Sequence, residues 1–106
     1  MDAKVERVLR DLKQGLQSLY DNRLKGLYLF GSYARGEADD QSDVDILIVL
    51  QDVGHYAAEI ERTGELISTT SLAHGVSVSR VFVAESAWQE AESVFLANVR
   101  EEAIAA

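Results

Sequence analysis

Cysteine is absent from the 106 residues, so the chain has neither a disulfide framework nor a thiolate metal site. Long apolar runs are also missing: no stretch approaches the length of a membrane span. Met1 to Arg10 mixes charges and lacks the apolar core of a signal peptide, so a cytoplasmic protein without membrane contact is the expectation. Positive charge is scarce. Ten Lys and Arg stand against 18 Asp and Glu, a net charge of -8. That balance disfavours nonspecific nucleic-acid binding, which needs cations against phosphates, and no direct nucleic-acid contact is expected. It suits a basic protein partner, and it equally suits the plain role of keeping a small protein soluble. Repeats and low-complexity segments are missing too. With 47% hydrophobic residues, the length allows one compact domain over residues 1–106 with a modest core, and no second domain.

Hydrophobic spacing divides the chain into elements. Ala3 to Tyr20 places Val5, Val8, Leu9, Leu12, Leu16, Leu19 and Tyr20 at helical intervals, which predicts an amphipathic helix covering one sheet face. Leu27 to Phe30 and Asp43 to Leu50 read as strands, and Val76 to Val83 as a third, rich in β-branched residues. Between the last two, Tyr56, Ile60, Gly64, Ile67 and Ser71 form the stripe of a second helix running to about His74, with Gly75 placed to stop it. His55 and His74 are isolated and are expected at the surface, without catalytic or metal roles. Ser86 is read as the cap of a final helical region carrying Trp88, Ala91, Val94, Phe95 and Val99, with a break near Ser93. The predicted class is α/β (α+β), a small mixed sheet of about three main strands packed with helices.

The stretch from Gly31 to Asp45, GSYARGEADDQSDVD, carries the chemistry. Gly31 ends an apolar strand and permits a turn that a side chain would forbid. Ser32 is read as a helix N-cap for Tyr-Ala-Arg, and free N–H groups with a hydroxyl beside them attract phosphate. Arg35 adds a planar set of charged donors suited to phosphate oxygens. Side chains alternate along a strand, so Asp43 and Asp45 share one face, with Cα atoms roughly 6.6 to 6.8 Å apart. Val44, Ile46, Ile48 and Leu50 take the other face. Two carboxylates held this way can share divalent cations, and oxygen-only ligands favour Mg2+ or Mn2+ over zinc. Gly-Ser, Arg-Gly and Asp-rich segments also occur in ordinary surface turns. Order and spacing favour the functional reading: ten residues separate Gly-Ser from Asp-x-Asp, with apolar strands on both sides.

GSYARG followed by SDVDILIVL resembles the signature of the DNA polymerase beta-like nucleotidyltransferases, in particular the small stand-alone minimal nucleotidyltransferases. The resemblance covers nearly the whole chain. It implies the polymerase beta palm-like fold and an enzyme that moves a nucleoside monophosphate, AMP from ATP or another NMP from its triphosphate, to an acceptor hydroxyl. On that resemblance Gly31, Ser32 and Arg35 hold the triphosphate, and Asp43 and Asp45 are the catalytic, metal-binding residues for Mg2+ or Mn2+. Minimal nucleotidyltransferases are similar to the antitoxin halves of toxin-antitoxin pairs, so a HEPN-type toxin partner in an oligomeric complex is implied, with Trp88 and Phe95 as aromatics that such a partner would cover.

One position departs from the family pattern. Many active relatives carry a third carboxylate on the third strand, where counting from Gly75 places Ser79. A neutral hydroxyl is a poor Mg2+ ligand. Glu85 lies just past the strand as a substitute or as a plain loop acid, and Arg80 is expected on the opposite face. Two functions follow from the sequence: an active nucleotidyltransferase modifying its partner, and an inactive module that neutralises the partner by binding.

Overall fold

A computed structural model describes residues 2–106. Helix α1 spans Ala3–Tyr20 and begins where the Asp2 carboxylate accepts the Lys4 N–H at 2.7 Å, which satisfies one of the free donors of the first turn. A 3-10 turn, Asp21–Arg23, leads into strand β1, Leu24–Phe30. Helix α2 is the short turn Ser32–Arg35, and strand β2 is Val44–Leu50. Helix α3, Tyr56–His74, ends on Gly75, whose N–H returns to the Ser71 carbonyl. Strand β3, Val78–Ala84, is followed by helices α4, Glu85–Glu90, and α5, Val94–Glu102, then a two-residue strand β4, Ile104–Ala105.

The sheet is four-stranded and mixed, in the order β3-β2-β1-β4. Strands β1 and β2 pair antiparallel, β2 and β3 parallel, and β1 and β4 antiparallel. The parallel pair needs a crossover, and α3 supplies it. The alternation of β2 splits the core in two. Val44, Ile46, Ile48 and Leu50 pack with Val5, Val8, Leu9, Leu12 and Leu16 of α1. Leu47 and Val49 pack on the other face with Val83, Leu96 and Val99. Asp45 shares that second face, so α4 and α5 flank the acidic side of the sheet.

Several local expectations are corrected. The residues of α3 that are buried are Glu59, Thr63, Ile67 and Thr70; Ile67 belongs to the expected stripe, while the other three each lie one position before a member of it. Glu59 and Thr63 sit there because each finds a partner. Glu59 accepts from the Tyr20 hydroxyl at 2.7 Å and lies 3.4 Å from Arg62 and 3.5 Å from Arg23. Thr63 accepts from Arg80 Nε at 2.8 Å and donates to the Glu59 carbonyl at 2.9 Å. Arg80 thus faces α3, opposite to Asp45 as expected. His74 is not an isolated surface residue, since its Nε2 lies 2.7 Å from Asp11 Oδ2 and its side chain is only 14% exposed. Ala84, not Ser86, precedes α4, and Ser93 caps α5 by accepting the Leu96 N–H at 3.1 Å. The break between the two helices is centred on Ala91 and Ser93. Among the described residues no helix is long and apolar enough to cross a membrane.

Candidate functional site

Strand β1 ends at Phe30, and the chain must leave the sheet at once to make room for the connection to β2. Gly31 does this with φ 78° and ψ -157°, a conformation closed to residues with a side chain. Gly31, not Ser32, is therefore the N-cap of α2, and no side chain caps the turn. Ser32 is the first helical residue. Arg35 N–H returns to the Gly31 carbonyl at 3.1 Å, and Gly36, in the left-handed region, closes the turn. A Cβ on Gly31 would overlap Asp45 Oδ2 and stand 3.0 Å from its Cγ. The turn and the carboxylate are packed as one unit.

Asp45 lies between two strands, opposite Phe30 of β1 and opposite Ser79 of β3. In a parallel pair, residues in register project from the same face, so Ser79 occupies the position beside Asp45 that the sequence comparison assigned to it. Asp43 precedes β2 and is exposed, while Asp45 is half-buried. Burial first, and then the neighbouring charge of Asp43, raise the Asp45 carboxyl above the usual carboxylate range, with Glu102 adding to the rise and Arg35 opposing it. Among the described residues no group of three His, Cys, Asp or Glu side chains is arranged to hold a metal ion. The donor set fits a cation that brings its own water and phosphate ligands: two adjacent carboxylates whose repulsion a divalent charge relieves.

Gly31, Ser32, Arg35 and Asp45 line one open cleft of about 390 Å3, closed on the far side by Phe95 and Glu102 of α5. Asp43 lines the adjoining cleft of about 490 Å3, together with Asp39, Asp40, Ser42 and Ser77. The structure thus brings the five predicted residues to one end of the two central strands, with the two aspartates opening to separate clefts. Glu85 is the first residue of α4, at the far end of β3 from Ser79, and does not line the site cleft. It is no substitute for the missing carboxylate.

One residue of the cleft was not anticipated. Glu102 Oε2 accepts the Gly31 N–H at 2.6 Å and lies 3.2 Å from Arg35 Nη1. Glu37 holds the other side of the guanidinium, through Nε at 2.8 Å. The hydrogen bonds that Arg35 donates to Glu37 and then to Glu102 raise its already high pKa, so it stays charged. Phe95 stands edge-on to Phe30 at 5.8 Å and is 46% exposed, and Val94 beside it is 79% exposed. Trp88 is more covered, tilted on Tyr28 at 4.8 Å.

Residues 9–100 match the model of the nucleotidyltransferase domain, and the chain belongs to that family. Its fold is that of solved nucleotidyltransferases. A candidate nucleotidyltransferase from Sulfolobus solfataricus superposes with a TM-score of 0.63 at 20% identity, over 99% of this chain and 86% of that one. A candidate minimal nucleotidyltransferase gives 0.59 at 27% identity, over 98% and 95%. A toxin-antitoxin structure with AMP-PNP gives 0.58 at 25% identity, over 96% and 68%. Among sequences, the chain is similar to two candidate protein adenylyltransferases of Methanocaldococcus jannaschii. MJ0604 is 48% identical over 44 residues, 42% of this chain and 44% of that protein. MJ0141 is 28% identical over 78 residues, 74% and 78%. The match to MJ0604 thus spans under half of that relative.

Proposed function

We propose that this protein is a Mg2+-dependent nucleotidyltransferase that moves AMP from ATP to a hydroxyl on a partner protein, a HEPN-type toxin, and so acts as an antitoxin. The observation that carries the reading is the packing of the Gly31–Arg35 turn directly against Asp45 of the Asp-x-Asp strand, in a chain of the nucleotidyltransferase family. The similarity to candidate protein adenylyltransferases supports AMP and a protein acceptor, and the fold shared with a toxin-antitoxin structure supports the toxin partner.

The reaction joins the acceptor oxygen to the α-phosphorus and breaks its bond to the bridging oxygen, releasing pyrophosphate and one proton. The Gly31 N–H, the Ser32 hydroxyl and the Arg35 guanidinium hold the triphosphate by charge-assisted hydrogen bonds. Asp43 and Asp45 would hold the Mg2+, which would supply charge neutralisation at the phosphates and polarisation of the reacting oxygens. The test is label transfer from α-phosphate-labelled ATP, with Mg2+ or Mn2+, to the product of the neighbouring reading frame. Transfer by the parent and none by the Asp43→Asn, Asp45→Asn double variant is expected; full transfer by the variant refutes the reading.

Ser79 favours a second reading, a module that has lost turnover and neutralises its partner by binding. It predicts that the same double variant protects cells from the toxin as well as the parent does.

A further inference from the structure

The phosphate-binding donors of the site are already engaged by an anion from the same chain. We infer that Glu102 is an internal latch: its carboxylate occupies the phosphate position of the cleft and must withdraw before a triphosphate enters. This rests on the reading of Gly31 and Arg35 as phosphate donors.

The geometry is that of a bound anion. Oε2 takes the Gly31 N–H at 2.6 Å and approaches Arg35 Nη1 at 3.2 Å, while Oε1 lies 3.3 Å from the same nitrogen. A main-chain N–H is a single donor, and Gly31 is buried, so a phosphate oxygen and Glu102 cannot both use it. The glutamate also sits where helix physics disfavours it. It is the last residue of α5, beside the negative end of the helix dipole. Its compensation comes from across the molecule, from Gly31 and Arg35.

The segment that carries it is held firmly at one end and lightly at the other. Leu96 and Val99 anchor α5 in the core, whereas β4 beyond Glu102 adds only the pairs Tyr28↔Ala105 and Leu29↔Ile104 to the sheet, with two further bonds at Ala106: its N–H donates to the Leu27 carbonyl at 2.9 Å and its carbonyl accepts from Lys13 Nζ at 3.1 Å. The Glu102 side chain is 24% exposed, so rotation into solvent is open to it. Apparent nucleotide affinity is then the intrinsic affinity multiplied by the fraction of molecules in which the latch is open.

The test is calorimetric titration of the full chain with inorganic tripolyphosphate, without divalent metal, for the parent, Glu102→Gln and Glu102→Ala. Gln keeps the size and one acceptor oxygen but removes the charge. Both variants are expected to bind about tenfold more tightly than the parent, the low end for a charge-assisted hydrogen bond in partial contact with water. Equal or weaker binding by both variants, or no binding by any of the three proteins, overturns the latch. Label transfer from ATP on the same preparations separates the two claims. Retained transfer with unchanged tripolyphosphate binding refutes the latch alone. Tighter binding by the variants with no transfer by any protein upholds the latch and refutes the transferase reading.

Discussion

Replacing Gly31 by alanine tests the join between the phosphate turn and the acidic strand. Two costs add. The backbone at φ 78° and ψ -157° is closed to alanine, a strain of about 1–3 kcal/mol. The new methyl also overlaps Asp45 Oδ2 and stands 3.3 Å from its Cβ, so the carboxylate must leave its rotamer, at about 0.5–1.5 kcal/mol. Together these give roughly 1.5–4.5 kcal/mol, and at about 4–8 °C per kcal/mol for a domain of this size the melting temperature falls by at least about 6 °C. Gly36 is the control. It too has a positive φ, 73°, but nothing lies within 4 Å of an added Cβ, so alanine there costs roughly 1–2 kcal/mol of backbone strain and moves no carboxylate. The two variants separate most clearly in nucleotidyl transfer. Displacing a group of the reacting site by about 1 Å costs on the order of a hundredfold, so Gly31→Ala should lose at least that factor while Gly36→Ala stays within about threefold of the parent. Thermal melts and initial rates of label transfer measure both. Transfer by Gly31→Ala within threefold of the parent would refute the claim that this close approach positions Asp45.

Three further outcomes are expected. Ser79→Asp places a carboxylate beside Asp45 across the β2–β3 register and should raise the transfer rate at least tenfold; an unchanged rate would show that the third carboxylate does not limit this protein. Asp45→Asn should melt above the parent at neutral pH, by less than about 1 kcal/mol because the group is half-exposed and screened. The Asp45 carboxyl is raised in the folded state, so its cost is full above that raised value and fades as pH falls through it; a gap between the melts that widens in acid would contradict this. Tyr20→Phe removes the buried hydrogen bond to Glu59 and should cost about 1.5–3 kcal/mol in urea denaturation, with transfer unaffected. The Tyr20 hydroxyl itself is held well above the usual phenol range, by burial first and Glu59 second.

Elements governed by local spacing were legible in the sequence. Helix α1 has the predicted bounds because six of its apolar residues repeat on one buried face, and α3 ends where Gly75 follows His74. The assignment of Ser79 to the place beside Asp45 also follows from counting along a regular strand. What escaped depends on distant partners. Glu59 reads as a surface acid until Tyr20, 39 residues earlier, is folded against it. Glu102 reads as one more exposed charge near the chain's acidic end, and only a contact across 71 residues brings it to Gly31. Strand β4 is two residues of ordinary composition, which carry no periodic signal. The one local misreading with a visible cause is the cap at Ser32, where the positive φ of Gly31 moved the helix boundary back by a residue.

Strand β3 closes the sheet on the side away from β4, so a row of its amides faces outward with no neighbouring strand. Such a margin invites a second polypeptide to zip on and extend the sheet. Here the Phe82 N–H is already spent on the Tyr56 hydroxyl, at 3.2 Å, and the tyrosine ring stands edge-on to Phe82 at 5.7 Å. The side chain of the crossover helix thus takes the place of an incoming carbonyl in the middle of the margin. A copy of this chain approaching that side meets an interrupted template, which discourages polymerisation through the sheet.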